Sequence, residues 1–387
     1  MSNFQTALQT LSRLVAFDTT SRHSNLELID WAESELLAAG AACRRIPDAT
    51  GEKANLWARI GPDVPGGLVL SGHTDVVPVD GQPWDTQPFD LSESEGRLYG
   101  RGTCDMKAFL ALCLAFAPKF AAAGLAKPVH FAFSYDEEVG CKGAPAMIDA
   151  IVASGAAPAG VWVGEPSNWQ VIGQHKGIAA YEVVVTGREV HSSLPDQGVS
   201  AIAEALPLMT TLMEIADTRR PVGMSDFPAK PAQTTITIGE VHGGTAVNIL
   251  ARECRFVFDV RSAPGDQPET VLASFFEAVD TRRASIKARA EEGDITVREM
   301  SNAPALLASS ENMAEQLARA ITGDNADRAV AYGTEAGQFR AAGCPAIICG
   351  PGSIEQAHQP NEYLETAQLR QGVDVFDALV ERLAIRR

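Results

Sequence analysis

The sequence LVLSGHTD at residues 68–75 decides the fold, because it is an apolar strand that ends in a His-x-Asp pair. If this strand belongs to a parallel sheet, His73 and Asp75 emerge at its carboxyl end, where open α/β sheets place their chemistry. The segments VHFAFSYDEE (129–138) and VWVGE (161–165) have the same form, since each is a short β-rich run that ends in carboxylates. We therefore expect these acidic residues to converge on one edge of the sheet.

Length and composition describe a globular protein with two domains. The chain has 387 residues, more than one hydrophobic core usually supports. Its 45% hydrophobic and 21% charged residues are typical of a soluble protein. The net charge of -17 argues against nucleic acid and anionic membranes as partners, because both require a basic surface. A cationic small-molecule substrate remains compatible with this charge.

Targeting signals and disulfide patterns are not evident. The N-terminal stretch 1–17 shows helical periodicity instead of the charged and apolar regions of a signal peptide. The longest apolar run, 109–117, is shorter than the roughly 20 residues that cross a bilayer. Seven scattered cysteines without a CxxC pair suit reduced thiols. These features predict a cytoplasmic enzyme.

The order of predicted elements divides the chain into two parts. Helical and strand patterns alternate in the first half, which predicts an α/β domain with a mainly parallel central sheet. The order then changes to strand, helix, two strands, helix and strand, at 181–186, 200–216, 234–240, 254–260, 269–279 and 295–300. This βαββαβ order is typical of a ferredoxin-like α+β unit. We predict a catalytic domain at 1–176 and 301–387, with an inserted lid and dimerisation domain at 177–300.

Six residues with metal-binding side chains follow predicted strands or begin a predicted helix: His73, Asp105, Glu137, Glu138, Glu165 and His358. Imidazole and carboxylate ligands suit zinc, and also cobalt or manganese. Two histidines and several acids are enough for two ions, with Asp105 as the central candidate for a shared ligand. Asp75 lies on the same side of an extended chain as His73 and is placed to accept its other imidazole N–H.

The adjacent pair Glu137 and Glu138 suggests a division of roles. Successive residues in extended backbone point in opposite directions, so one carboxylate can hold a metal while the other acts as general base. Taken alone, each acid has a simpler interpretation as a solvated charge or, for Asp105, as a helix N-cap. His73 alone is equally compatible with a hydrogen-bonded loop histidine. The joint pattern favours a metal site; Glu362, near His358, has no predicted role.

Six ordered motifs resemble the dizinc aminoacylase and carboxypeptidase family. They are GHTDVVP (72–78), YGRGTCDMK (99–107), SYDEEVG (134–140), GEP (164–166), TGREVHSS (186–193) and GPGSIEQAHQPNEYL (350–364). Within the family, the last motif and GTEA (333–336) are most similar to the branch that deacetylates N-acetylornithine. The succinyl-diaminopimelate desuccinylases are similar at the metal motifs but usually differ at 335–336.

The resemblance implies a role for each matching residue. His73 and Glu165 would bind one zinc ion, Glu138 and His358 would bind the second, and Asp105 would bridge the two. Catalysis would use Glu137 as the base and Asp75 to orient His73.

The resemblance also implies a homodimer formed through the inserted domain. His191 would reach the partner's active site and stabilise the oxyanion. Asn248 and Arg261 match positions that hold the substrate carboxylate, although Arg261 is equally plausible as an ordinary salt-bridge residue. Glu335 is the best-placed remaining acid for the substrate amine, and the alternative is that it caps a helix beginning at residue 336.

The function that the resemblance implies is hydrolysis of N2-acetyl-L-ornithine to L-ornithine and acetate. Desuccinylation of succinyl-diaminopimelate and broader deacylation of N-acylated amino acids are the alternatives. A non-catalytic amino-acid-binding homologue is the alternative from another class. Such a homologue is expected to lose the base or a ligand, whereas this sequence retains all six candidate residues.

Overall fold

The computed structural model describes residues 2–219 and 227–385. The first elements in chain order are α1 (Asn3–Val15), α2 (Leu26–Ala38), β1 (Ala42–Pro47), β2 (Ala54–Ile60), β3 (Leu68–His73), β4 (Ser92–Ser94), β5 (Arg97–Tyr99), α3 (Lys107–Ala122), β6 (Val129–Ser134), α4 (Ala144–Ala153), β7 (Gly160–Val163) and β8 (Gln174–His175). The following elements are β9 (Gly177–Thr186), a short 3-10 helix (Pro195–Gln197), α5 (Ala201–Thr218), β10 (Thr235–Gly243), β11 (Glu253–Ser262), α6 (Pro268–Val271), α7 (Ala273–Arg289) and β12 (Asp294–Ala303). The last are α8 (Met313–Thr322), β13 (Ala329–Val330), α9 (Ala336–Ala341), β14 (Ala346–Ile348), β15 (Tyr363–Glu365) and α10 (Thr366–Leu383).

The chain forms two compact units. The first comprises the chain up to Gln174, Leu306–Arg328 and the chain from Thr334 onwards. The second comprises His175–Ala305 and Ala329–Gly333. The predicted domain limits at 176/177 and 300/301 stay a prediction. No helix among the described residues is long and apolar enough to span a membrane.

A six-stranded sheet with the order β1-β2-β6-β3-β7-β14 forms the centre of the first unit. Strand β3 runs parallel to both β6 and β7, and β14 runs parallel to β7. Every residue of β3, β6, β7 and β14 is buried, as expected for parallel strands that have helices on both faces. The edge strand β1 is mostly exposed and antiparallel. The predicted mainly parallel sheet is confirmed.

Helix α3 is the most deeply buried helix of this unit. It contacts α1, α10 and β3, and eleven of its sixteen residues are buried. A helix surrounded on all sides by protein needs apolar residues all round, which explains the run FLALCLAFA at 109–117. Because α3 begins at Lys107, the loop immediately before it carries Asp105 to the end of β3.

The second unit has the predicted βαββαβ order. Its antiparallel sheet has the order β10-β11-β9-β12, which places the first and third strands of the unit at the centre. Residues of β9 and β11 alternate between buried and half-buried, so one face meets the helices α5 and α7. This topology confirms the ferredoxin-like prediction.

Candidate metal centre

The carboxyl edge of the parallel strands brings the predicted residues of the first unit together. His73 is the last residue of β3, Glu137 and Glu138 follow β6 after a short turn, and Glu165 follows β7. Since β6, β3 and β7 are neighbours, their ends deliver these side chains to one place. His358 lies in the loop between β14 and β15.

The carboxylate of Asp105 lies between the two histidines. Its Oδ1 is 3.0 Å from His73 Nε2, and its Oδ2 is 3.3 Å from His358 Nε2. Glu165 Oε1 lies 3.6 Å from His73 Nε2, whereas Glu138 Oε2 lies 2.9 Å from His358 Nε2. One acid therefore faces two imidazoles, each of which has a second carboxylate beside it.

The donor atoms are close enough to surround cations. Ligand atoms of His73, Glu137 and Glu165 all lie within 4.8 Å of one another, as do those of His73, Asp105 and Glu138. Among the described residues, Glu138 Oε1 and Glu165 Oε1 are buried and have no hydrogen-bond partner. Buried carboxylate oxygens without a partner are costly, and a bound cation removes that cost. The residues thus fit a divalent metal site.

The pKa shifts of the clustered side chains also indicate that the site needs positive charge. Burial and the negative charge of Asp105 raise the pKa of Glu138, and the same causes raise the pKa of Glu165 well above its ordinary value. Hydrogen bonds to Asp105 and Glu138 raise the pKa of His358 to about 10. Burial and the nearby Glu138 and Asp105 likewise raise the pKa of Glu137, although His73 acts against them. Without a cation, these groups reduce their mutual repulsion by retaining protons.

Asp75 contacts His73 and also the backbone that follows β6. The Nδ1 atom of His73 lies 2.9 Å from the backbone carbonyl of Asp75 and 3.6 Å from its carboxylate. The carbonyl oxygen is thus the nearer of two Asp75 oxygens beside this nitrogen, and the predicted role of Asp75 in orienting His73 stays a prediction. The carboxylate also accepts the backbone N–H groups of Glu137 (3.1 Å) and Glu138 (3.2 Å) and the hydroxyl of Ser21 (2.7 Å). Asp75 fixes the backbone that carries the adjacent glutamates.

Glu137 has one neighbour that the sequence did not indicate. The thiol of Cys141 lies 3.1 Å from Glu137 Oε1. Burial raises the pKa of the Cys141 thiol well above its ordinary value. The thiol therefore stays protonated and donates a hydrogen bond to the carboxylate. The spacing of four residues in a turn is the only local signal that links the two.

Glu335 is enclosed rather than open to a pocket. Its side chain has no exposed surface, and its two oxygens accept hydrogen bonds from Ser71 (2.7 Å) and Ser134 (2.6 Å). It precedes helix α9 but makes no capping hydrogen bond with its side chain. Glu335 therefore occupies the N-cap position without capping the helix through its side chain, and the predicted contact with a substrate amine stays a prediction. Glu335 links the ends of β3 and β6.

The remaining predicted residues belong to the second unit. His191 is exposed, and its Nδ1 lies 2.7 Å from Ser193 Oγ. Asn248 is also exposed. Arg261, on β11, forms a half-exposed ion pair of 2.7 Å with Asp259. This is the salt-bridge alternative given in the sequence analysis. Their roles toward a substrate stay predictions.

Comparison with known proteins identifies the family. A model of the family described as peptidase family M20/M25/M40 matches residues 69–382. The chain belongs to this family. The resemblance read from the six motifs is thereby confirmed, and the protein is a hydrolase that depends on divalent metal ions.

Named relatives in the M20 family match almost the whole chain. An acetylornithine deacetylase from Myxococcus xanthus is 38% identical over 377 residues, covering 95% of this chain and 95% of the relative. An acetylornithine deacetylase from Proteus mirabilis is 32% identical over 380 residues, covering 96% and 93%.

Solved structures show the same M20 fold. A metallo-carboxypeptidase of the M20 family from Sulfolobus solfataricus has a TM-score of 0.77 at 16% identity and covers 97% of this chain and 98% of its own. A tripeptidase from Staphylococcus aureus has a TM-score of 0.71 at 20% identity and covers 98% and 99%. The predicted fold class, an α/β catalytic domain with an inserted α+β domain, is therefore confirmed.

Proposed function

We propose that the protein hydrolyses N2-acetyl-L-ornithine to L-ornithine and acetate, a reaction of arginine biosynthesis. The observation that carries the hydrolytic chemistry is the Asp105 carboxylate, which faces His73 with one oxygen and His358 with the other. The choice of substrate is supported by full-length relatives named acetylornithine deacetylase. Desuccinylation and broader deacylation are not better supported.

The donor set supports two zinc ions per subunit, with cobalt or manganese as substitutes. We assign His73 and Glu165 to the first ion and Glu138 and His358 to the second. Asp105 has an oxygen for each ion and would bridge them. The two orphaned oxygens, on Glu138 and Glu165, support this assignment because each would gain a partner.

When bound, divalent ions polarise an amide carbonyl and make water more acidic. Glu137 would take a proton from the attacking water and deliver it to the nitrogen of the leaving amino acid. The C–N bond then breaks, and Glu137 returns to its initial protonation state. The Cys141 thiol would fix the rotamer of this carboxylate.

Asn248 and Arg261 are proposed to bind the α-carboxylate of the substrate, and the half-exposed guanidinium of Arg261 supports this role. The net charge of -17 is compatible with a substrate that has a protonated side-chain amine. Glu335, the acid predicted to bind this amine, is enclosed and accepts hydrogen bonds from Ser71 and Ser134.

We also propose a homodimer formed by the second unit. Helix α5 exposes Ile202, Leu206 and Met213, and the edge strand β10 exposes Val241. An apolar helix face next to a free strand edge suits a two-fold contact. In the dimer, His191 of each subunit would stabilise the oxyanion in its partner's active site.

The test is an assay of acetate or succinate release with N-acetylornithine, N-succinyl-diaminopimelate and N-acetylmethionine, each with and without a chelator. We expect the highest kcat/KM for N-acetylornithine and loss of all activity with the chelator. A preference for the succinylated substrate would overturn the substrate proposal. Binding of N-acetylornithine without hydrolysis in the zinc-loaded protein would favour the non-catalytic alternative.

A further inference from the structure

A buried ion pair lies next to the loops that carry two of the proposed ligands. Arg101 Nη1 is 2.7 Å from Glu362 Oε2, and both side chains are about 1% exposed. Removing two charges from water is expensive, and a buried pair often stabilises a fold no better than apolar residues of the same size. Such a pair therefore calls for an explanation other than general stability.

Glu362 binds the loop that ends in Asp105. Its Oε1 accepts the backbone N–H groups of Cys104 (2.8 Å) and Asp105 (3.1 Å). Its Oε2 accepts the backbone N–H of Gly102 (3.0 Å) as well as the Arg101 guanidinium. Only an ionised carboxylate can accept four hydrogen bonds in this arrangement. The orientation of the Asp105 backbone thus depends on Glu362.

Arg101 extends this network to the loop that carries His358. Its Nη1 donates to the backbone carbonyl of Gln359 (3.3 Å), and its Nη2 donates to Gln82 Oε1 (2.5 Å). The side-chain amide of Gln82 then donates to the backbone carbonyl of His358 (3.1 Å). His358 has a φ of 63°, a conformation that a residue with a side chain keeps only when its surroundings hold it.

We propose that the Arg101–Glu362 pair positions Asp105 and His358 relative to each other and thereby sets the affinity for the metal ions. The proposal rests on the ligand assignment in the proposed function. Asp105 and His358 come from distant parts of the chain, and the pair joins their loops through backbone contacts on both sides. Arg101 and Glu362 touch neither substrate nor metal in this scheme, so they are positioning residues.

The test is titration of the metal-depleted, full-length protein with Co²⁺ by isothermal calorimetry, together with the visible absorption of Co²⁺, which responds to ligand geometry. In Glu362→Gln, the amide retains one acceptor oxygen and turns its NH2 toward backbone N–H groups. We expect its Kd for Co²⁺ to rise roughly 10- to 100-fold, as is usual when a partner of a metal ligand is lost. At saturating Co²⁺, kcat should return toward the wild-type value because the reacting groups are unchanged.

Two further variants make the test specific. Gln82→Ala changes a half-buried side chain and should keep the fold. It should weaken binding of the ion assigned to His358 and leave the other ion unaffected. Glu365→Gln is the matched control. Glu365 forms an exposed pair with Arg97 and, within the described part of the chain, has no hydrogen bond to Asp105 or His358. Its Kd for Co²⁺ should equal that of the wild type.

The outcomes separate the two proposals. A lowered affinity in His358→Ala with an unchanged Kd in both Glu362→Gln and Gln82→Ala would overturn the positioning role alone. An unchanged affinity in His358→Ala would overturn the ligand assignment and the positioning role with it. If Glu362→Gln does not fold, Gln82→Ala decides. A wrong choice of substrate leaves these readouts untouched, because none of the binding measurements requires a substrate.

Discussion

Replacement of Glu335 tests whether this residue supports the fold or contacts the substrate. Its carboxylate joins Ser71 on β3 to Ser134 on β6, and it has no exposed surface. Ser71 lies two residues before His73, and Ser134 is paired with His73 in the sheet register. We therefore expect a substitution of Glu335 to act on stability and on His73, and not on the choice between substrates.

The structure gives different magnitudes for two substitutions. In Glu335→Ala, Ser71 can turn its hydroxyl to the carbonyl of Ala132, which is 3.3 Å away. The Ser134 hydroxyl has no second hydrogen-bond partner among the described residues. One lost methylene contributes about 0.8 kcal/mol and one unsatisfied hydroxyl about 1–3 kcal/mol, so the loss is roughly 2–4 kcal/mol. In Glu335→Gln, the amide oxygen can accept from Ser134 while its NH2 donates to Ser71, which limits the loss to about 1.5 kcal/mol.

Thermal unfolding and kinetics together provide the assay. At roughly 2–4 °C per kcal/mol, Glu335→Ala should lower Tm by about 4–16 °C. For both variants, kcat/KM should fall by the same factor for N-acetylornithine and for the neutral N-acetylmethionine. Glu365→Ala, at an exposed ion pair, is the control and should change stability by no more than about 0.5 kcal/mol. A wild-type Tm combined with a loss confined to N-acetylornithine would refute this reasoning and return Glu335 to the substrate pocket.

Three further predictions concern the metal cluster and the dimer. Glu137→Gln should retain its metal by elemental analysis and lose kcat by about 10²- to 10⁴-fold, because the amide cannot accept the proton; loss of metal would instead make Glu137 a ligand. Mixing His191→Ala chains with Glu137→Gln chains should restore part of the activity, because one site of each heterodimer then has an intact His191 and an intact Glu137. Heterodimers that form but have no activity would contradict this. In the metal-depleted protein, the raised pKa values of Glu137, Glu138 and Glu165 contribute stability that is complete below the ordinary value of 4.5 and is lost as pH rises through the raised values. Calorimetry of the metal-depleted protein should therefore show that Tm falls as pH rises. With Zn²⁺ bound, Tm should depend less on pH, and an equal change of Tm with pH in both forms would contradict the assignment.

The sequence by itself determined the elements and the positions of the candidate ligands. Buried parallel strands appear as apolar runs, and the ferredoxin-like unit appears as an ordered series of strand and helix patterns, because both depend on local periodicity. His73 and Glu165 were found because residues that follow parallel strands share one edge of the sheet. Glu137 and Glu138 emerge from the same edge after a short turn.

Only the tertiary structure decided which polar groups meet. Glu335 binds serines that are 201 and 264 residues away, and Glu362 binds backbone groups about 260 residues earlier in the chain. A carboxylate has the same local sequence pattern whether it faces a substrate, a hydroxyl or a backbone N–H. Its role depends on how the unpaired donors of the folded chain are satisfied, and the packing of distant segments sets that arrangement. For the same reason, the carbonyl of Asp75 faces His73 while its carboxylate holds the backbone of the two glutamates.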